Sequence, residues 1–263
     1  MPGNERLTPL EKIVRDAGEI ARATARTEFK RWTKGDDHSP VSEGDIAVND
    51  FLRAELAALA PEAAWLSEET EAAPDRTVPF AWIVDPIDGT RAYISGKPDW
   101  TVAVALVESG VPQLAAVYAP ATDEMFLAAR GQGATLNGAR ILANAGASLS
   151  GAKLAGPKRY LERFVHLNPH IAAQPKVHSL ALRLARVAQG QLDAAFASGG
   201  GHDWDLAAAD LLVHEAGGVV TDLAGRGLVY NRSHPVHGAL IAAGRERHAA
   251  LIDLVRSRAA EFA

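Results

Sequence analysis

The sequence predicts a layered α+β protein, and three observations predict it. Two apolar stripes of helical period occupy the first sixty residues, and residues 101–137 carry paired apolar runs split by Gly-containing turns. From about residue 150 strand-like and helix-like segments alternate. A chain of 263 residues is one large domain or two intimate halves at about 100–200 residues per domain. No low-complexity linker appears. We therefore expect an N-terminal α+β half over 1–145 and a C-terminal α/β half over 146–263, packed as one unit.

The first helix opens at Thr8, Pro9 and Glu11, a capping box with proline in the first helical position. Leu10, Ile13, Val14, Ala17 and Ala21 mark its buried face, and the helical pattern runs on to Trp32. A second helix follows Ser42, with Ile46, Phe51, Leu52, Leu56 and Leu59 as its periodic set. Trp82, Ile83 and Val84 read as a buried strand that Pro86 ends, since proline cannot donate to a sheet ladder. "TVAVALVESGVPQLAAVYAP" reads as two strands around a Glu-Ser-Gly turn, and "MFLAARGQGATLN" as another pair. The second half alternates: "KLAG" a strand, "SLALRLARVAQG" a helix stopped by Gly190, "LDAAFA" a strand. "WDLAAADLLVHEAGG" is a helix stopped at Gly217, "VVTDL" a strand, and "RERHAALIDLVRSRAA" the closing helix.

Composition removes several function classes. Hydrophobic residues at 48% and charged residues at 22% are ordinary for a globular protein and leave no room for disorder. A net charge of −5 gives no electrostatic footprint for nucleic acid or an anionic membrane, so a small ligand is the expected partner. With no cysteine there is no thiolate nucleophile and no thiolate metal site. No run approaches the roughly 18–20 apolar residues of a membrane helix, and the start lacks a signal-peptide stretch, so a cytoplasmic protein is expected. A serine hydrolase would need Gly-x-Ser-x-Gly, and "GQGATLNG" lacks the third glycine of a dinucleotide loop. Pro169 separates His166 from His170, which spoils a shared helical face for zinc.

The chemistry concentrates in "WIVDPIDGTRAYISG", where Asp85 and Asp88 flank a proline and precede Gly89 and Thr90. Asp, Pro and Gly are also the commonest turn residues. What distinguishes this turn is its company. Glu68 and Glu69 stand side by side in "LSEET", read as another strand end about twenty residues upstream, and Asp205 stands in the first turn of the helix that begins "HDWD". Each has a plain alternative: a solvated acidic loop for the glutamates, a charge at a helix's positive end for Asp205. Carboxylates from three separate elements together suit a hard divalent cation, which takes oxygen ligands and keeps waters.

"WIVDPIDGT" followed by "WDLAAADLLVHEAGG" resembles the two signature motifs of the inositol monophosphatase superfamily, and "LSEE" stands where that family has its metal-binding glutamate. The resemblance runs from "KGDDHSPVSEGD" to "GALIAAG". It implies an αβαβα sandwich, a Mg²⁺-dependent and lithium-sensitive phosphatase, two or three Mg²⁺ ions per site, and a homodimer. It assigns Glu68, Asp85 and the carbonyl of Ile87 to a first ion, with Asp85 bridging to a second held by Asp88 and Asp205. Such a pair would clamp the phosphate, lower the pKa of a bound water and neutralise the leaving alkoxide. The resemblance also assigns the orienting of the water to Thr90 and its partner Asp45, and substrate contacts to Asp88, Gly89, Thr90 and Asp205. Asp45 has a second reading as the capping partner of Ser42, and Lys34 is placed near the metal loop by family position alone.

Substrate is read from departures. Inositol monophosphatases carry a glutamate shortly before the "WD" motif, whereas "AFASGGGHDWD" has only Ala197, Ser198 and glycines there. The 3′(2′),5′-bisphosphate nucleotidases are resembled by "KGDDHSPVSEGD", by "DWTVAVAL" and by Arg183, a guanidinium suited to a second phosphate. Their Ser-Arg-Ser stretch is replaced by "AGPKRYLERF", where Lys158 and Arg159 offer charge. The expected reaction is hydrolysis of adenosine 3′,5′-bisphosphate to AMP and phosphate, with an inositol monophosphatase as the alternative. The non-enzyme alternative, a silent regulatory binding module, would show a broken ligand set. Here the set is intact.

Overall fold

In the computed structural model, residues 4–25, 31–34, 39–70, 77–167 and 171–258 are described. Helices α1 (Asn4–Ala25) and α2 (Glu43–Leu59) flank an antiparallel pair, β1 (Arg31–Lys34) and β2 (Ser39–Ser42). A seven-stranded sheet then runs in chain order: β3 (Ala64–Ser67), β4 (Phe80–Asp88), β5 (Thr101–Glu108), β6 (Val111–Ala119), β7 (Glu124–Ala129), β8 (Gly133–Leu136) and β9 (Ala139–Ile141). The short helix α3 (Thr90–Ile94) links β4 to β5. A second sheet has the order β11-β10-β12-β16-β14, from β10 (Lys153–Ala155), β11 (Ala172–Ala173), β12 (Ala194–Ala197), β14 (Gly218–Asp222) and β16 (Leu240–Gly244). Its helices are α4 (Lys158–Leu167), α5 (Leu180–Ala188), α6 (Asp203–Glu215) and α7 (Arg245–Ser257), and β13 (Gly201–His202) pairs with β15 (Val236–His237).

Strand alternation sorts these elements into five layers, αβαβα. Trp82, Val84, Val102, Val104 and Tyr118 face α1 and α2, while Ala81, Ile83, Ala103, Ala105 and Phe126 face α5 and α6. Alanines dominate that inner face and recur on α6 as Ala207, Ala208 and Ala209, so the central helices approach both sheets closely. Beyond them the second sheet turns Ala195, Leu240 and Ala242 inward and Leu154, Phe196 and Ile241 outward onto α4 and α7. The predicted layered α+β class is the observed one.

Three element readings need correction. The first helix begins at Asn4, not Thr8, and contains Pro9. The extra turn is held because Leu7 packs onto the α1/α2 core and Arg6 pairs with Glu62 at 2.8 Å. At its other end the helix stops at Ala25, and Arg31 and Trp32 belong to β1. Pro86 does not end its strand: β4 continues to Asp88 across a register shift between Asp85 and Asp88, an irregularity that absorbs a residue without an N–H and re-aims its neighbours. Helix α4 was not legible beneath its charged residues, yet Tyr160, Leu161 and Phe164 bury its apolar stripe against Phe196. Strand β16, buried on both faces, shows no alternation to reveal it.

Candidate active site

Asp85, Asp88 and Asp205 meet although they come from β4, its bulge and the first turn of α6. Each offers a carboxylate oxygen, and these oxygens all lie within 4.8 Å of one another. Asp85 is 1% exposed and Asp88 6%. Burial raises the Asp85 carboxyl well above its ordinary range, and the charges of Glu68, Asp88 and Asp205 push it further. Burial and the charge of Asp88 likewise raise Asp205, to about 8. Asp85 Oδ1 is buried without a hydrogen-bond partner. An orphaned buried carboxylate oxygen facing two further raised carboxylates is what a cation site leaves when described by its protein atoms alone, and the all-oxygen donors fit Mg²⁺.

Asp88 is raised by burial but opposed by hydrogen bonds: Ser179 Oγ and Ala181 N–H donate to Oδ2, each at 2.6 Å, and Leu180 N–H to Oδ1 at 3.2 Å. Asp88 thus caps the start of α5 while facing the cluster. Glu68 lies just past β3, its N–H donating to Val84 O at 3.2 Å, close enough for its charge to act on Asp85, Asp205 and Asp45. Gly89 has φ 93°, and a Cβ there would stand 3.1 Å from Asp99 O and 3.2 Å from Ser179 N.

Thr90 Oγ1 is 3.4 Å from Asp45 Oδ1 and donates to Ile87 O at 3.1 Å. Asp45 Oδ2 meanwhile accepts from both Ser42 N–H (2.8 Å) and Ser42 Oγ (2.6 Å), so both readings of Asp45 coexist. Burial raises its carboxyl to about 7 against those bonds, with the charges of Glu69 and Glu68 adding. The side chain of Lys34 lies outside the described residues, as do those of His166 and His170.

A cleft of about 780 Å³ opens beside α5, lined by Lys158, Lys176, His178, Arg183, Ser198 and the α4 edge. Arg183 is not an exposed helix residue. Nη1 donates to Phe196 O at 3.0 Å and Nη2 to Val177 O at 2.7 Å, Nε is buried without a partner, and burial lowers its pKa while the charge of Asp88 opposes that fall. Arg159 turns away onto Tyr160, donating to its hydroxyl at 3.1 Å. Sequence reasoning missed Lys176 and His178. His178 is fastened by Asp99, whose Oδ2 lies 2.5 Å from Nδ1 and accepts the main-chain N–H at 2.7 Å. The available signal was "KVHS", a basic stretch immediately before the helix cap Ser179.

Five layers with an all-carboxylate cation pocket at the junction of a sheet and a central helix define a metal-dependent phosphoric monoester hydrolase. The chain belongs to the inositol monophosphatase family, whose profile matches residues 4–260. It is 34% identical over 241 residues to the "Nus factor SuhB" of Pseudomonas aeruginosa, covering 86% of this chain and 89% of the relative. It is 35% identical over 215 residues to the inositol-1-monophosphatase of Rhizobium meliloti, covering 78% of each. Among solved structures it superposes on an IMPase from Thermotoga maritima with TM-score 0.85 at 27% identity, over 98% of this chain and 100% of that one. The family is Mg²⁺-dependent. Among the described residues no helix is long and apolar enough to cross a membrane.

Proposed function

We propose that this phosphatase hydrolyses a bisphosphorylated nucleoside, with adenosine 3′,5′-bisphosphate going to AMP and phosphate. The observation that carries the reading is the cleft, which three basic side chains, Lys158, Lys176 and Arg183, line, the last of them on α5, the helix whose start Asp88 caps. The apolar wall formed by Pro157 and Leu161 suits a sugar or base face. In this reading Glu68, Asp85, Ile87 O, Asp88 and Asp205 hold the Mg²⁺ ions. Bound there, the ions supply Lewis-acid charge and an acidified water. The chain's own groups do the positioning: Thr90, backed by Asp45, orients the water; Gly89 admits the phosphate close to the backbone; Asp88, Asp205 and Arg183 border the substrate. We further read the protein as a cytoplasmic homodimer.

The Rhizobium relative's name supports the second reading, an inositol monophosphatase. The Pseudomonas relative's name raises a regulatory role, against which the intact carboxylate set favours catalysis. The test is turnover of adenosine 3′,5′-bisphosphate, inositol 1-phosphate and fructose 1,6-bisphosphate with Mg²⁺. Because Arg183 holds two backbone carbonyls, the informative variant is Lys176→Ala. It should raise KM for the nucleotide about 10-fold, the loss of one charge-assisted hydrogen bond, and leave KM for inositol 1-phosphate alone. Faster wild-type turnover of inositol 1-phosphate than of the nucleotide would sink the reading in favour of the second.

A further inference from the structure

The loop 230–238 grips one face of α6. Asp203 and Asp210 are seven residues apart, two helical turns, and so project on the same side, whereas Asp205 is turned about 200° from Asp203. Asp203 is 1% exposed and Asp210 6%. Both are served by this one loop: Asn231 N–H donates to Asp203 Oδ2 at 2.6 Å, His237 Nε2 lies 2.7 Å from Asp203 Oδ1, and Tyr230 Oη donates to Asp210 Oδ2 at 2.8 Å. The backbone joins in, with Asp203 N–H donating to Pro235 O and Gly200 N–H to His237 O, each at 2.9 Å. Strand β15 pairs Val236 with His202, and the N–H of His202 donates to Asp205 Oδ2 at 2.6 Å.

Two anchors on one face, two turns apart, fix a helix against both sliding and rotation. With that rotation fixed, the side chain on the opposite face has one direction to point. We propose that His237 is a positioning residue for the cation site: by holding Asp203 it sets the rotation of α6 and thereby aims Asp205 at Asp85 and Asp88. This rests on the reading of Asp205 as a metal ligand. His237 touches neither the cluster nor the cleft; it acts through the helix, as outer groups that orient metal ligands do, and such groups are worth about 10–100-fold in metal affinity.

The experiment is direct Mn²⁺ binding, followed by the electron paramagnetic resonance of the free ion, on wild type and the variants H237A, H237Q, H237N and D205N. Leu251→Ala, in the outer helix α7, serves as a destabilised control. H237A should weaken Mn²⁺ binding about 10-fold or more and raise the Mg²⁺ needed for half-maximal activity by the same factor, with KM at saturating Mg²⁺ unchanged. H237Q, whose amide nitrogen reaches where Nε2 stands, should recover most of the affinity, and the shorter H237N should not. That contrast decides the matter even if H237A does not fold. A melting-temperature loss shared with Leu251→Ala, with Mn²⁺ binding intact in the His237 variants and lost in D205N, overturns the proposal while leaving the ligand reading standing. Undiminished Mn²⁺ binding in D205N removes the ligand reading itself.

Discussion

Helix α6 carries two buried aspartates, Asp203 and Asp210, and a half-buried one, Asp205, and they differ in the company they keep. Asp203 and Asp210 face donors: a backbone N–H, an imidazole and a phenol. Asp205 faces other carboxylates, and Asp85 beside it has an oxygen with no donor at all. The first pattern finds its counter-groups within the chain, since Asp210 Oδ1, which accepts no hydrogen bond, still has His214 Nδ1 at 2.7 Å, and it holds two elements together. The second lacks counter-groups from the chain, a cost to the fold that the proposed cation would offset. Buried charge by itself therefore says nothing about function; whether the chain supplies its counter-groups does.

Exchanging amides for acids on the two faces should separate them most strongly. Asp205→Asn should cut phosphatase activity about 10³-fold, because a metal contact worth several kcal/mol is lost, while the metal-free protein melts no lower than wild type since a repulsion has gone. Asp210→Asn should do the reverse, keeping activity within about twofold and lowering the melting temperature through the lost contact with His214, whose Nδ1 lies 2.7 Å from Asp210 Oδ1. Activity assays and calorimetry on the pair decide it. Equal losses of activity would erase the distinction.

A weaker effect should appear in the pH dependence of the metal-free protein. Burial holds Asp205 at about 8 and Asp45 at about 7 in the folded chain, against about 3.9 when unfolded, so the folded state keeps protons that the unfolded chain releases. The stability this confers is full below about pH 4 and drains away as pH rises towards 8. Melting temperatures should fall across that window without metal and flatten when Mg²⁺ is added. A metal-free profile that rises from pH 5 to 8 would contradict it.

The smallest effect expected is that of Tyr230→Phe. It strips one donor from Asp210 Oδ2, costing about 1–3 kcal/mol, or several degrees of melting temperature in a protein of this size. Its effect on Mg²⁺ affinity should be smaller than that of H237A, because the anchor it weakens, Asp210, lies five residues from Asp205 along the helix and Asp203 only two. A larger effect would move the controlling contact to Asp210.

The cluster was legible in the sequence because its chemistry is local. Asp85, Asp88, Gly89 and Thr90 fall within six consecutive positions, and a helix start names Asp205 by its place in the first turn. What joins them was not legible. The capping of α5 by Asp88 spans 91 residues to Ser179, and the grip of His237 on Asp203 spans 34. No periodicity marks such contacts, and the loop 230–238, rich in Arg, Ser, His and Pro, carries the composition of any surface connection. Lys176 and His178 were missed for a related reason: the short basic stretch before Ser179 hints at them, but it is a tertiary cleft that makes them neighbours of Arg183. The outer helices α1, α2 and α7 were easier, since their apolar stripes repeat with the helical period.

Gly89 has a bearing on how such an enzyme can diversify. Any side chain at that position meets a left-handed backbone and, within 3.2 Å, main-chain atoms of both Asp99 and Ser179. Those two residues begin the segments that carry the cleft's wall, Asp99 by tethering His178 and Ser179 by starting α5. A methyl group at 89 would wedge the loop at 85–90 away from those segments and so, on the proposed reading, part the phosphate end of the site from the end that recognises the rest of the molecule. On the proposed reading, variation in substrate choice is therefore channelled away from the loop at 85–90 and towards exposed cleft residues such as Lys158 and Lys176, which can be exchanged one at a time.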